Sequence, residues 1–437
     1  MRASDNPHRR ARGRPSRRPG AASHERSSRN ASTKGTVGGA LAGLPVWQAR
    51  LATTAACTLP GVLLRLSGVH PPPMVGLLAF GGSVVTAAFM LAWAAEAAEI
   101  DVPPGIAVAG VALLAVLPEY TIEIYFAFTA QVEYVTASLT GATRLLLSCA
   151  VGMPAIASLV LARRGGRRLE FVELGQQRRL DLAIIATASL YAPVIVLRGH
   201  LGWTDAIVLI GLYGLYLRRV ATGTPEPPHL VGVAAQLGKL SKRLRRRWVV
   251  GIMVFSALTI LITAEPFANA VLGAGTSVGI SPYLLVQWLV PLATESPELV
   301  IAFVLITHDR AAQGVAVLLS SAVSQWTLAL GSLPVAFAAG AGHGPLPLLG
   351  REQVEVVLTM GQALLAVAVL VTLRLSRRDS VMMLALFAAQ VAIPNVAIRA
   401  ALALVYLVLA VDILASERWA ISALRRTLRP GSANAPP

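Results

Sequence analysis

Long apolar runs, separated by short polar stretches or by Gly and Pro, recur along this chain from about Leu51 to about Ala415, with no soluble-sized domain between them. Most are long enough to cross the roughly 30 Å hydrocarbon core of a bilayer as a helix. The breaks divide them into about twelve candidate spans, near 51–69, 74–97, 105–130, 135–162, 181–197, 203–217, 248–270, 279–306, 313–338, 353–373, 381–395 and 398–415. Several are short or interrupted by Pro or Gly, which is tolerated in lipid where neighbouring helices satisfy the freed backbone groups. The pattern predicts an all-α membrane protein.

Composition agrees with the pattern. Of 437 residues, 55% are hydrophobic and only 14% charged, and the mean hydropathy is +0.64. The net charge of +16 is concentrated outside the apolar runs. Arg2, Arg9, Arg10, Arg12, Arg14, Arg17, Arg18, Arg26, Arg29 and Lys34 precede the first span, in a stretch rich in Ser, Pro, Gly and Ala with no aromatic residue to stack on a base. Residues 1–45 therefore read as a disordered basic tail held near anionic lipid headgroups, with no nucleic acid expected. No apolar segment follows these charges closely enough for a signal peptide. Cys57 and Cys149 form no Cys-x-x-Cys or Cys/His cluster, so no disulfide framework or zinc site is implied.

Arg and Lys collect in the loops that face the cytoplasm. Arg163, Arg164, Arg167, Arg168, Arg178 and Arg179 follow the fourth span, and Arg218, Arg219, Lys239, Lys242, Arg243, Arg245, Arg246 and Arg247 follow the sixth. Counting from these loops, Arg374, Arg377 and Arg378, the basic N-terminal tail, and Arg418, Arg425, Arg426 and Arg429 also fall inside. The expected location is the inner (plasma) membrane, multi-pass, with both termini cytoplasmic.

Against this background four carboxylates stand out, because an acid within a span costs several kcal/mol unless it is paired, wetted or neutralised. The third span reads Leu-Pro-Glu-Tyr-Thr-Ile-Glu, with Glu119 and Glu123 on one helix face; the eighth reads Thr-Glu-Ser-Pro-Glu, with Glu295 and Glu298 on one face. In each run a Pro directly precedes a Glu. The Pro removes a backbone donor and kinks or breaks the helix, leaving carbonyls beside a carboxylate, a combination that suits hard cations. The third span runs from inside to outside and the eighth from outside to inside. Equivalent motifs in opposite directions mark an inverted repeat, with its substrate site at the midplane.

At these residues the chain resembles the sodium/calcium exchanger superfamily, the cation/calcium antiporters, whose two alpha-repeats each pair a Pro-Glu helix with a helix rich in small polar residues. The resemblance covers 105–162 and 279–338. It implies two five-helix halves plus extra terminal helices, within 46–220 and 248–416, joined by a basic cytoplasmic linker at 221–247 and followed by a cytoplasmic tail at 417–437. In the second repeat, Glu298 matches the family's acidic ligand, Thr294 its hydroxyl and carbonyl ligand, and Ser321 its Ser. Gln325 stands where the family has Asp or Asn, and Glu295 is an extra acid. The first repeat departs further: Glu119 and Gly141 are kept, but Ala142 replaces a Ser, Thr143 an Asn and Leu146 a further Asn, and Val116 stands where a hydroxyl is expected.

Arg144 is the largest departure. An arginine within a span needs an anion, and Glu119, Glu123, Glu295 and Glu298 are the natural partners; the alternative is snorkelling to the outer interface. Inside the site it would modulate the ions carried, together with Thr143. Glu96, Glu99 and Asp101 fit either a solvated interface or an ion vestibule. Glu265, before Pro266, either lines a pathway or caps an outer helix end. Trp288, Trp326 and Trp419 read as packing or interfacial anchors, and His308, Asp309 and Arg310 as a solvated turn.

The resemblance implies a secondary-active antiporter with transported calcium, sodium or protons as substrates and no cofactor. Glu123 and Glu295 favour a proton-coupled variant, and the lost ligands of the first repeat leave a non-transporting scaffold as an alternative. No His-Glu-x-x-His motif and no nucleophile–base pair points to an enzyme.

Overall fold

The structure, a computed structural model, describes residues 45–101, 116–163, 171–222, 230–340 and 344–427, which belong to one unit beginning at Pro45. The basic tail up to residue 44, the expected start of the third span at 105–115, and Arg164, Arg167, Arg168 and Arg429 lie outside the described residues.

Every apolar run read from the sequence falls on helix where it is described. In order these are α1 (Val46–Ser67), α2 (Pro73–Ala98), α3 (Leu117–Phe128), α4 (Val132–Arg163), α5 (Arg178–Arg198), α6 (Trp203–Thr222), the short α7 (Gly232–Gly238), α8 (Lys242–Val278), α9 (Pro282–Thr294), α10 (Ser296–Thr307), α11 (Ala311–Ser324), a π-helical turn (Gln325–Ala329), α12 (Leu330–Gly340), α13 (Arg351–Leu370), α14 (Arg377–Ala392), α15 (Val396–Ser416) and α16 (Arg418–Thr427). Among the described residues seven helices are long and apolar enough to cross a membrane, or eight with α9 and α10 taken as one span bent by 58°. The expected dozen is not reached, because the helices at 46–67, 117–128, 203–222 and 377–392 do not meet that measure.

α8 begins at Lys242, six residues before the expected start, because Lys and Arg are good helix formers whose stems lie along apolar surface. Its first turn closes onto the end of α2, where Arg245 grips Asp101 at 2.7 and 2.8 Å. Asp101 is thus in an ion pair, whereas Glu99 is exposed. α8 continues unbroken through Glu265 and Pro266, so Glu265 does not cap a helix end; it pairs at 2.7 Å with Arg65 of α1, both side chains half-exposed. His308, Asp309 and Arg310 form an exposed turn with Asp309 at φ 61°, as the sequence suggests.

Two short antiparallel pairings tie loops of one half to loops of the other. β1 (Phe171–Glu173) pairs with β4 (Arg374–Ser376), and β2 (His200–Leu201) with β3 (Leu346–Pro347). The first pairing puts the segment just before Arg178 and the loop bearing Arg374 on the same face.

α4 occupies the centre, buried over most of its length and packed against α9, α11, α13 and α14. Its closest approach is to α9, and two residues make that possible. Pro291 has no N–H to offer the carbonyl four residues back, that of Gln287. Against this same carbonyl packs Gly141, where a Cβ would lie 1.9 Å from the Gln287 oxygen. Gly141→Ala must therefore push α4 and α9 apart. It is expected to cost about 1–3 kcal/mol, read as a lowered unfolding temperature in detergent. Gly82→Ala, on α2 with nothing within 4 Å of the added methyl, is expected to leave that temperature unchanged or raised.

Candidate cation site

The two Pro-Glu motifs adopt the same local structure. In α3 the first three residues are Leu117, Pro118 and Glu119; in α10 they are Ser296, Pro297 and Glu298. Pro fits the second position of a helix, where its missing N–H leaves no bond unmade. The Glu that follows sits in the first turn, where free N–H groups and the positive end of the helix dipole favour an anion. The match extends upstream: Tyr120 N donates to Val116 O at 3.1 Å, and Leu299 N to Glu295 O at 3.0 Å. Glu295 therefore occupies in the second repeat the place of Val116 in the first.

Glu295 is the break between α9 and α10, half-helices of thirteen and twelve residues, so it lies near the middle of the span. The carbonyl of Ala293, four residues before Pro297, is taken by Ser296 Oγ at 2.9 Å. Thr294, the last residue of α9, is buried with its hydroxyl on the carbonyls of Val290 and Pro291.

The carboxyl groups of α3 and of the α9–α10 break share one electrostatic neighbourhood. Glu119 is within charge–charge reach of Glu295, Glu123 and Glu298. Glu119 and Glu295 are each 3% exposed and Glu123 fully buried. Gln325 donates from Nε2 to Glu295 Oε1 at 3.4 Å. It opens the π-helical turn, whose wider backbone re-aims the side chains that follow α11, and such turns recur at functional sites. Five acceptor oxygens are left buried without a partner: Glu119 Oε1, both oxygens of Glu123, Glu298 Oε2 and Gln325 Oε1. Native interiors rarely leave acceptors so. A cation, protons on the carboxyl groups or enclosed water would satisfy such a set. As they stand, no three His, Cys, Asp or Glu side chains among the described residues converge closely enough to hold a metal by themselves.

Other candidate residues are placed differently. Ser321 is half-buried on α11, its carbonyl taken by Ser324 Oγ at 2.8 Å. The Thr143 hydroxyl turns back onto Leu139 O of its own helix at 2.9 Å. Trp326 is fully buried, with Nε1 on Ser189 Oγ at 3.1 Å, as expected of a packing residue. Glu96, half-buried at the end of α2, accepts weakly from Val231 N at 3.5 Å and lies within charge–charge reach of Glu298.

The expected partners of Arg144 are corrected. The fully buried guanidinium is neither among the four acids nor at an interface. Its Nη2 lies 2.8 Å from Glu355 Oε2, its Nε donates to Thr140 O at 2.9 Å, and its plane rests 5.2 Å from the Trp288 ring. Arg399 holds the other Glu355 oxygen, and Gln287 of α9 donates to Oε2 at 3.0 Å. Gln362 donates to Arg144 O at 2.8 Å and to Ser148 Oγ at 2.7 Å, and Gln390 donates to Gln362 Oε1 at 2.8 Å. Arg144, Glu355 and Arg399 are all 0% exposed. The α4 helix thus directs its one buried charge away from the acids into a second polar centre. Sequence reading missed Glu355, Arg399, Gln287, Gln362 and Gln390, because the first two stand near the starts of apolar runs, where charges normally meet water.

Comparison with known proteins places these features. The sequence model of the family described as Sodium/calcium exchanger protein matches residues 73–221 and 248–394. A crystal structure of the H+/Ca2+ exchanger CAX is similar at 35% identity and a TM-score of 0.82, over 87% of this chain and 97% of that one. The Ca2+/H+ antiporter protein YfkE shares the fold at 15% identity and a TM-score of 0.58, over 78% of this chain and 98% of that one. No curated protein sequence matches.

The Arg144 environment yields a prediction about stability. Arg144→Asn removes one partner of a fully buried ion cluster and strands Gln390 Oε1, its acceptor at 3.3 Å. Glu355 keeps Arg399 as its counter-charge, so the expected loss is that of stranded buried acceptors, about 1–3 kcal/mol, measured by thermal unfolding in detergent or by denaturant titration.

Proposed function

The chain belongs to the sodium/calcium exchanger protein family, and from that premise we propose that it exchanges a calcium-like cation for protons at one site shared by its two inverted repeats. Membership makes it a multi-pass membrane transporter of cations rather than an enzyme. The proton as counter-ion is supported by one observation above the others. Glu119 and Glu123 of the first repeat and Glu298 of the second each keep a buried carboxyl oxygen with no hydrogen-bond partner, and a proton taken up by such a group removes an uncompensated buried charge. A similar solved structure, at 35% identity, is that of an H+/Ca2+ exchanger.

In this reading the cation replaces protons on the acids. Glu119 and Glu298 act as the principal ligands, each on the positive end of a half-helix, with Glu123 and Glu295 as the acids that exchange protons for metal. Hard divalent cations take six to eight oxygens. The acids supply some; Thr294, Ser321 and the Gln325 amide oxygen are suited to others, and Thr143 would modulate them from α4. The site is lopsided, because the amide and hydroxyl groups come from the second repeat and the matching positions of the first hold Leu146 and Ala142. Such a set has fewer neutral oxygens for sodium than the family pattern, which also supports proton coupling. Glu96 is suited to guide ions between Glu298 and the nearer aqueous face. The positive-inside rule supports a plasma-membrane topology in which both termini, the 221–247 linker and the β1–β4 face meet the cytoplasm and its anionic headgroups.

The test is calcium uptake into proteoliposomes under an imposed proton or sodium gradient. A proton gradient is expected to drive uptake and an equal sodium gradient to leave it at background. Glu298→Gln is expected to reduce proton-driven uptake to that of protein-free liposomes. Uptake driven by sodium alone, or full activity in Glu298→Gln, contradicts the proposal.

A further inference from the structure

We propose that the buried Arg144–Glu355–Arg399 cluster is a positioning device for the cation site, which holds half-helix α9 through Gln287 and so sets cation affinity without touching the cation. The proposal rests on the cation-exchange reading above.

Three observations carry it. First, the cluster joins the elements that build the site to elements that do not. Arg144 is on α4, three residues beyond the Gly141 contact with α9; Glu355 is on α13 and Arg399 on α15. The cluster is fully buried, and Glu355 is bonded at both oxygens, to Arg399 and to Arg144 and Gln287. Glu355 is the one anion between two buried arginines, so its loss would leave two buried cations facing each other without a counter-charge.

Second, α9 is held by consecutive residues. Gln287 Nε2 bonds Glu355, the Gln287 carbonyl faces Gly141, and the Trp288 ring lies against the Arg144 guanidinium. Tyr283, one turn earlier, lies close beneath the guanidinium of Arg351, on the same helix as Glu355. This grip fixes both the rotation and the height of α9.

Third, the held segment leads directly to the site. From Gln287 to Thr294 is two helical turns, about 10 Å along the axis, and Glu295 follows at the break. Because a helix transmits displacement along its axis, a shift at Gln287 moves Thr294 and, at the break, Glu295. The four acids and the cluster are otherwise separate. No hydrogen bond or ion pair described joins Glu119, Glu123, Glu295 or Glu298 to Arg144, Glu355 or Arg399. The most direct route from the cluster to the site is α9, which runs from Gln287 to Thr294 and ends at Glu295. Binding sites lose affinity steeply when ligands are misplaced by about 1 Å.

The test uses full-length purified protein and calcium as the probe. Binding is titrated through tryptophan fluorescence, with Trp288→Phe identifying the part of the signal that arises at α9, and transport in proteoliposomes gives the half-saturating calcium concentration and maximal rate. Glu355→Gln cuts the cluster itself. Gln287→Met cuts only the link to α9 and leaves both ion pairs in place, so it carries the test if Glu355→Gln does not fold. Gln287→Met is expected to raise the half-saturating calcium about tenfold or more, with maximal rate within about twofold and the Trp288 signal weakened. Wild-type affinity in Gln287→Met, with or without a lower unfolding temperature, makes the cluster a packing feature and overturns the proposal. Absence of calcium binding by the wild-type protein overturns the exchange reading and the proposal with it.

Discussion

A carboxylate in a membrane interior must be compensated, and in this protein that constraint organises the structure around the places where helices are broken. Each Pro-Glu motif begins a helix, the second directly after the end of another, so the acid arrives with free N–H groups and a favourable dipole at its side. The apolar helices around these breaks then have to supply a shell that excludes lipid and keeps the half-helix ends apart. Gly141 shows how tightly this is done: it brings α4 against the Gln287 carbonyl that Pro291 has freed. The helix break, the close crossing and the buried acids are one arrangement.

The interior divides its charges into two centres. One is acidic, with acceptor oxygens left open by the protein. The other, Arg144–Glu355–Arg399, pairs its charges with one another and with Gln287, Gln362, Gln390 and Thr140, although Gln287 Oε1 and Arg399 Nε have no partner. Unpartnered oxygens on acids can exchange occupants, whereas an ion cluster whose charges face one another fixes the helices that meet there. In the first repeat, α4 points Arg144 at Glu355 of α13, within this second centre.

Much of this was legible in the sequence, for physical reasons. Membrane helices announce themselves by apolar length, and a Pro-Glu within such a run has few innocent explanations, so the acids and the inverted repeat could be found without coordinates. Helix edges were less legible, as at α8, because Lys and Arg continue a helix beyond the point where its apolarity ends. The partner of Arg144 was missed because Glu355 and Arg399 lie near helix starts and look solvated. A usable signal existed. The orientation count gives the spans bearing Arg144, Glu355 and Arg399 the same direction, and each residue lies within the first turns of its span, so all three share a depth. The structure adds that α13 and α15 run parallel, since Glu355 meets Arg399 while Gly361 meets Ala403.

The central claim is that a cation and protons compete for the acids that the two repeats bring together. It is tested most directly by calorimetric titration of the detergent-purified protein with calcium in buffers of equal pH and different ionisation enthalpy. The account predicts that the observed heat changes linearly with buffer enthalpy, with a slope corresponding to at least about one proton released per calcium bound. Calcium binding with heat independent of the buffer would show that no proton leaves the site and would contradict the account.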